Sequence, residues 1–175
     1  MKKIIFLTFI LVVIVATKPG AQNQAKQKAE LLASEFNKEK NKHKEKNGEV
    51  VDKHKTVEVK PDYRQNIASY AAMYELEGLN QFITLKQDNA GNWQADFTDD
   101  ASGKTINTGK LTDIHIEDAL LTATFLTNDG EAHPFEAVFV NRFANGVPSK
   151  GIAFKQVLSL SNGLMIDKAF YKRKE

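Results

Sequence analysis

The chain has 175 residues, no cysteine and a formal charge of +2, from 24 Lys and Arg against 22 Asp and Glu. Without cysteine it can form neither disulfides nor thiolate metal sites, so a folded domain must depend on its own hydrophobic core. The balanced charge is not that of a nucleic-acid-binding protein, and it changes to −1 if a leader carrying Lys2, Lys3 and Lys18 is removed.

The N-terminus has the layout of a secretory signal peptide. Met1-Lys2-Lys3 precedes an apolar stretch from Ile4 to Ala16 that only Thr8 interrupts. This stretch is too short to cross a bilayer, which takes about 20 apolar residues. We therefore predict a signal peptide over residues 1–21 and a periplasmic or secreted protein. No residue fits the cleavage position well, so an uncleaved signal anchor stays open, and the missing cysteine excludes a lipoprotein anchor.

Residues 22–60 are dominated by Lys, Glu, Asn and Gln, and their first half has a helical pattern. The apolar residues recur at three- and four-residue spacing, which predicts one amphipathic helix; they are Ala25, Ala29, Leu32, Ala33 and Phe36. The following run, Lys38 to Lys46, contains no apolar residue. We interpret it as a solvated helix end or linker.

The remaining residues, 61–175, have the texture of a β domain. Trp93, Ala95 and Phe97 alternate with polar residues, and turn sequences such as Asn128-Asp129-Gly130 separate the apolar runs. The predicted strands are Ala71–Leu76, Gln81–Gln87, Asn92–Thr98, Thr105–Leu111, Ile114–Glu117, Leu120–Leu126, Pro134–Arg142, Ala153–Leu160 and Leu164–Lys172.

The connections between these strands are nearly all of hairpin length, which predicts an antiparallel meander. Eight or nine meandering strands remove their exposed edges most simply by closing into a small barrel. The fold class is thus mainly β, a small lipocalin-like barrel preceded by an amphipathic helix. The alternative is an open, strongly bent sheet that the helix caps.

Catalytic chemistry is missing from the sequence motifs. His43, His54, His115 and His133 share no metal-ligand spacing, and there is no nucleophile elbow or phosphate-binding glycine loop. The acidic pairs Asp99-Asp100 and Glu117-Asp118 fall where the strand pattern breaks, as turn residues do. We predict a protein that is not an enzyme and has neither metal nor cofactor.

Phenylalanine is abundant, at 11 of 175 residues, and several aromatic residues lie on alternating strand positions. An eight-stranded barrel is either filled by its own side chains or holds one small ligand. Filling is the commoner outcome for short strands. If a ligand binds, the candidate lining residues are Tyr74, Phe82, Trp93, Phe97, Phe139, Asn141, Phe154 and Gln156.

Three segments carry a resemblance to a known module. They are Tyr70 to Gly78, Phe82-Ile83-Thr84-Leu85 with Gly91-Asn92-Trp93, and the closing Ile166 to Arg173. From Tyr70 to Lys172 the chain resembles the small lipocalin-like β-barrel module of exported bacterial proteins, which is also appended to β-lactamase-like serine hydrolases. The resemblance implies a non-catalytic accessory barrel. A Lys-rich helix takes the place of the hydrolase domain in this chain.

Two functional hypotheses follow, and an enzyme stays a third only because His115, His133 and a carboxylate could converge in space without any sequence motif. The first is an exported barrel that binds a small apolar or amphipathic ligand. The alternative is an envelope interaction or structural protein that docks an envelope partner through its N-terminal helix, using the exposed stripe of Ala25, Ala29, Leu32 and Phe36, or through the outer barrel face. Neither hypothesis involves nucleic acid or a membrane span after signal removal.

Overall fold

The computed structural model describes residues 19–37, 57–76, 78–100, 104–144, 146–160 and 163–175, and the side chains of 19–22 and 156–167 lie outside that description. One helix, α1, spans Pro19–Asn37 and precedes all the strands. Nine strands follow: β1 Val57–Pro61, β2 Ala72–Leu76, β3 Gln81–Gln87, β4 Trp93–Asp99, β5 Ile106–Glu117, β6 Leu120–Thr127, β7 Ala132–Ala144, β8 Val147–Leu160 and β9 Gly163–Arg173.

Strands β2 to β9 form a closed antiparallel barrel, which confirms the predicted fold class. Each strand pairs with the next along the chain, and β2 also pairs with β9 through Tyr74 opposite Arg173 and Leu76 opposite Tyr171. The last pairing closes the sheet on itself. Closure satisfies the backbone groups that an open sheet would leave at its two edges.

The remaining strand, β1, is not part of the closed barrel and pairs with the C-terminal part of β7. Val57 pairs with Ala144 and Pro61 with Val140, beyond the point where β6 leaves β7. The other edge of β1 is covered by α1, because the Asn37 side-chain amide donates to the Val59 carbonyl (2.9 Å) and accepts from the Val59 N–H (2.8 Å). A single side chain thus satisfies both backbone groups of Val59 on this edge.

Helix α1 packs on the outside of the barrel, against β1 and the middle of β7. The stripe that the sequence predicted is buried, with Ala25, Ala29 and Ala33 at 7%, 0% and 1% exposure. Beneath α1, buried and exposed residues do not alternate along β7 and β8. Four consecutive residues are buried in each strand, residues 137–140 in β7 and residues 151–154 in β8. Burial on both faces is expected where a helix covers one side of a strand and the barrel core the other.

Ion pairs fix α1 at both ends of this contact. Lys28 pairs with Glu136 of β7, and Glu35 pairs with Lys155 of β8. The apolar stripe of α1 is therefore occupied by the barrel. Ala25 and Ala29 of the stripe are thus covered and Leu32 and Phe36 are half-buried, whereas docking of an envelope partner through the helix or the outer barrel face stays a prediction.

Two details of the strand prediction are corrected. The predicted break between residues 111 and 114 is a register shift inside the continuous strand β5, where Asp113 adopts φ 52°. β8 begins at Val147, earlier than predicted, because Pro148 pairs with Phe143 near the hairpin end, where a missing N–H is tolerated. A third correction concerns β1, because residues 57–60 were predicted to be part of the linker.

The predicted signal peptide lies almost wholly outside the described residues, which begin with Pro19, as does the basic run from Lys38 to Lys46. Among the residues that are described, no helix is long and apolar enough to cross a membrane.

Candidate functional site

The two ends of the barrel differ, and the difference locates the candidate site. At one end β3, β5, β7 and β9 finish, and the segment 62–71 returns across the barrel to start β2. We call this the plugged end. At the other end β2, β4, β6 and β8 finish, and we call it the mouth.

The plugged end is held by an aromatic pair and its hydrogen bonds. Tyr70 is fully buried and stacks on Phe139, with ring centroids 3.9 Å apart. Its hydroxyl donates to the carbonyls of Asp62 (2.6 Å) and Asp118 (3.0 Å). The Tyr74 hydroxyl donates to the Tyr70 carbonyl (2.5 Å). These bonds join the two ends of the segment 62–71 to each other and tie it to the turn after β5 and to β2.

A buried ion pair completes the plug. Arg64 donates to one carboxylate oxygen of Asp62 at 2.6 and 2.8 Å, and Asn141 donates to the other at 3.1 Å. Arg64 and Arg173 both donate to the Ser69 carbonyl. All of these groups have partners, but one buried oxygen of the Asp118 carboxylate, in the turn after β5, has no hydrogen-bond partner among the described residues.

The mouth contains a connected cluster of aromatic rings, which we call the aromatic cluster. Phe97 meets Phe125, Phe135 and Phe154 at centroid distances of 5.1, 5.8 and 6.4 Å, mostly edge to face. Phe154 also lies 5.4 Å from Tyr171, nearly parallel to it. Edge-to-face and offset stacking are the favoured aromatic arrangements. Phe97, Phe125 and Phe135 are only half-buried, so the cluster keeps ring surface in contact with solvent.

A polar chain lies beside the aromatic cluster. The Tyr171 hydroxyl points to the Gln81 side-chain oxygen at 3.5 Å, and the Gln81 amide donates to the Asp99 carboxylate at 3.2 Å. Gln81 begins β3 and Asp99 ends β4, and the two residues are directly opposite in register. The mouth therefore combines apolar ring surface with a carboxylate.

Exposed apolar side chains flank the same end. Ile106 lies opposite Asp99 in register and is 51% exposed, and Leu79 in the turn after β2 is 57% exposed. Gly109 lies beneath the Phe125 ring, because a Cβ there would come within 2.5 Å of that ring. The glycine is thus what allows Phe125 to lie across β5.

Burial raises the pKa of the tyrosines at both ends. At the plugged end it raises the pKa of Tyr70 to about 12, and the charge of Asp62 adds to the effect. At the mouth burial raises the pKa of Tyr171 to about 12, with a further contribution from Asp99. Both hydroxyls stay protonated near neutral pH and act as hydrogen-bond donors.

The predicted lining residues separate into several groups. Tyr74, Phe139 and Phe154 are buried inside the barrel, but the first two belong to the plugged end and Phe154 to the mouth. Phe97 lies at the mouth. Trp93 shares the inner face of β4 with Ala95 and Phe97 and is half-buried.

The other three predicted residues do not join the aromatic cluster. Phe82 alternates with the buried Ile83 and lies on the outer face, where the Lys174 ammonium sits 5.2 Å from its ring centre. Asn141 is engaged by Asp62 at the plugged end. Gln156 lies in β8, opposite Asp167, but its side chain lies outside the described residues.

Sequence reasoning missed Phe125, Tyr171, Gln81 and Asp99 as site residues. The alternation of β4 from Ala95 through Phe97 carries Asp99 to the inner face, and this signal was available. Asp99 was instead interpreted as a turn residue because the pair Asp99-Asp100 falls where the strand pattern breaks. The structure places it in the last position of β4.

A groove of about 870 Å³ lies near the plugged end. Its lining is charged and partly ion-paired, as in the bond between Lys174 and Glu75 (2.9 Å), and consists of Glu75, Gly78, Asn141, Pro148, Ser149, Lys150, Lys172, Arg173, Lys174 and Glu175. It does not reach the aromatic rings named above. The mouth is therefore the stronger candidate for an apolar ligand.

The described histidines do not gather with other ionisable groups. His115 pairs with Glu117 at 3.7 Å and His133 with Glu131 at 3.3 Å, each on the surface and next to its own strand neighbour. Within the described ranges no three His, Asp or Glu side chains are placed to hold one metal ion. No protein-family model, curated protein or solved structure matches the chain.

Proposed function

We propose that this protein is an exported, non-catalytic β-barrel that binds one small apolar or amphipathic molecule at the mouth. The observation that carries the proposal is the aromatic cluster, whose rings stay half-buried inside a closed barrel. Export rests on the N-terminal sequence, with its basic start and apolar stretch.

The division of the interior supports this assignment. Beside the plug, Tyr70, Tyr74 and Phe139 are less than 2% exposed, so this half of the barrel is filled by its own side chains. At the mouth the rings of Phe97, Phe125 and Phe135 are not fully covered. Removing apolar surface from water contributes about 25 cal/mol per Å² to the free energy of binding. The binding of an apolar molecule against these rings is therefore favourable.

The size of the barrel limits the guest. Eight strands enclose space for side chains or for one small ligand, and the part beside the plug is already filled by Tyr70, Tyr74 and Phe139. A single alkyl chain or a small ring system fits these limits. Since each buried methylene contributes about 0.8 kcal/mol, affinity should rise about fourfold per added carbon until the chain outgrows the mouth.

The test has two parts. Native mass spectrometry of protein purified from the producing cells should show a bound small molecule, and a series of 1-alkanols should bind with affinity that increases with chain length. Calorimetry measures binding in solution, and the fluorescence of Trp93, which begins β4 on its inner face, supplies a second readout. A bare mass together with no response to any alkanol would overturn the proposal.

Two phenylalanines on adjacent strands provide a matched pair of variants. Phe97→Leu changes an inner-face ring of β4, whereas Phe82→Leu changes an outer-face ring of β3. We expect Phe97→Leu to weaken alkanol binding about tenfold and Phe82→Leu to leave it within about twofold, because only the first removes ring surface from the mouth. Equal effects of the two variants would place binding elsewhere.

A further inference from the structure

The strongest additional feature of the mouth is the position of Asp99. It follows Phe97 by two residues on the same strand, so both side chains point to the inner face. Its carboxylate accepts a hydrogen bond from the Gln81 amide at 3.2 Å. The negative charge is thus oriented at the edge of the aromatic cluster by a side chain of the neighbouring strand.

The electrostatic influence of Asp99 extends into the barrel. Burial raises the pKa of Tyr171 to about 12, and Asp99 contributes to that shift. Tyr171 in turn lies nearly parallel to Phe154, at 5.4 Å. Phe154 and Tyr171 are themselves buried, at 3% exposure each, so the ring surface left to a guest at the mouth is that of the half-buried Phe97, Phe125 and Phe135.

Carboxylates and aromatic faces favour the same kind of guest. The face of an aromatic ring carries negative partial charge and attracts cations within about 6 Å of its centre. Asp99 attracts a cation by direct charge interaction and repels an anion. An anionic head group would meet unfavourable terms from both sources, and a neutral one would gain little from either.

We infer that the ligand of the mouth is a cationic amphiphile, an ammonium group attached to an apolar chain or ring, with the ammonium beside Asp99 and the apolar part on the half-buried rings of Phe97, Phe125 and Phe135. This inference rests on the proposed function, since it names the class of molecule that the same site takes. The Gln81 amide holds the carboxylate in position for the head group, and the rings receive the chain.

Three probes with one chain length test the head group. Decyltrimethylammonium, 1-decanol and decanoate share ten carbons and differ in charge. Each is titrated below its micelle concentration into the full chain, followed by Trp93 fluorescence and calorimetry. We expect the ammonium compound to bind about tenfold more tightly than 1-decanol, and decanoate to bind more weakly than both.

Two aspartates of β4 provide the variant and its control. Asp99→Asn keeps the shape and removes the charge at the mouth, whereas Asp96→Asn removes an exposed charge on the outer face of the same strand. Asp99→Asn should lower the affinity for decyltrimethylammonium about tenfold and leave that for 1-decanol within about twofold. Asp96→Asn should leave both within about twofold.

The outcomes separate the two proposals. If 1-decanol binds but the ammonium compound gains nothing, or if decanoate binds best, the inference about the head group is wrong while the proposed function stands. If Asp99→Asn leaves the preference for ammonium unchanged, the assignment to Asp99 is wrong. If none of the three probes binds, both proposals fail. Far-ultraviolet circular dichroism of each variant verifies that it is folded.

Discussion

The plugged end and the mouth are built from the same residue types, yet they use them differently. At the plugged end Tyr70 and Phe139 stack in full contact, and each polar group of Asp62 and Arg64 has a partner. At the mouth the rings meet edge to face and stay half-buried, with Asp99 beside them. The interior is therefore filled by its own side chains at the plugged end. At the mouth the half-buried rings keep surface that a ligand can cover.

The comparison predicts that substitutions at the plugged end cost stability, whereas those at the mouth chiefly affect binding. Tyr70→Ala should show the largest effect, a loss of about 3–5 kcal/mol, because it removes a fully buried ring and orphans two carbonyls. Chemical denaturation measures the loss. The half-buried Phe125→Ala should lose less than half as much, and equal losses would end the distinction between the two ends.

Tyr70→Phe separates the two contributions within that effect. It keeps the ring on Phe139 and removes only the hydroxyl, so the expected loss is about 1–3 kcal/mol. A loss as large as that of Tyr70→Ala would show that the hydroxyl, and not the stacking, holds the plug.

The next largest effect concerns the ion pair of the plug. Arg64→Ala leaves the buried Asp62 carboxylate with only the Asn141 amide among the side-chain donors described, and we expect a loss of about 3 kcal/mol. The exposed pair of Lys60 with Glu58 is the control, and Lys60→Ala should cost less than about 1 kcal/mol. Ligand affinity of Arg64→Ala, measured where the variant is folded, should be unchanged.

A change at the mouth should alter binding more than stability. Gly109→Ala places a Cβ within 2.5 Å of the Phe125 ring, so the ring must move. Overpacking of this kind costs about 1–3 kcal/mol, less here because a half-buried ring can yield toward solvent. We expect alkanol affinity to change severalfold, read from Trp93 fluorescence. An unchanged affinity would mean that Phe125 does not contact the ligand.

The smallest effect is the alkaline titration of the mouth tyrosine. The pKa of Tyr171 is about 12 in the folded chain and near 10 in an unfolded one, so the unfolded state loses its proton first. Its contribution to stability is complete below pH 10 and is lost as the pH rises to 12. Tyr171→Phe should make stability fall less steeply between pH 10 and 12. An identical slope in denaturation curves would contradict the assignment.

Much of the architecture was predictable from the chain alone. The turn sequences and the alternation of residues such as Trp93, Ala95 and Phe97 specify short antiparallel strands, and the Ala25, Ala29, Ala33 spacing specifies α1. Local periodicity suffices to predict these strands and the helix, because the spacing of apolar residues within each element shows which of its faces is apolar. Strand β1 escaped prediction since five residues, two of them charged, give little pattern.

The candidate site was only partly predictable, for a physical reason. Alternation shows which residues of one strand share a face. It does not show whether the face of Phe82 in β3 or that of Phe97 in β4 points into the barrel, because the register between strands decides this. Phe82 therefore seemed as suitable as Phe97 until the pairing of β3 with β4 and β2 placed it outside. Asp99 looked like a turn residue because the strand pattern breaks at the pair Asp99-Asp100.

By itself the sequence determined the predicted export signal, the helix, the meander and the supply of aromatic residues. Only the tertiary structure decided that the sheet closes, that α1 covers its outer face, and that Tyr70 fills one end while the aromatic cluster stays half-buried at the other. The reason is that periodicity is a property of one local segment. The closure of the barrel, the filling of one end and the contact of Asp99 with Gln81 depend on residues of different strands.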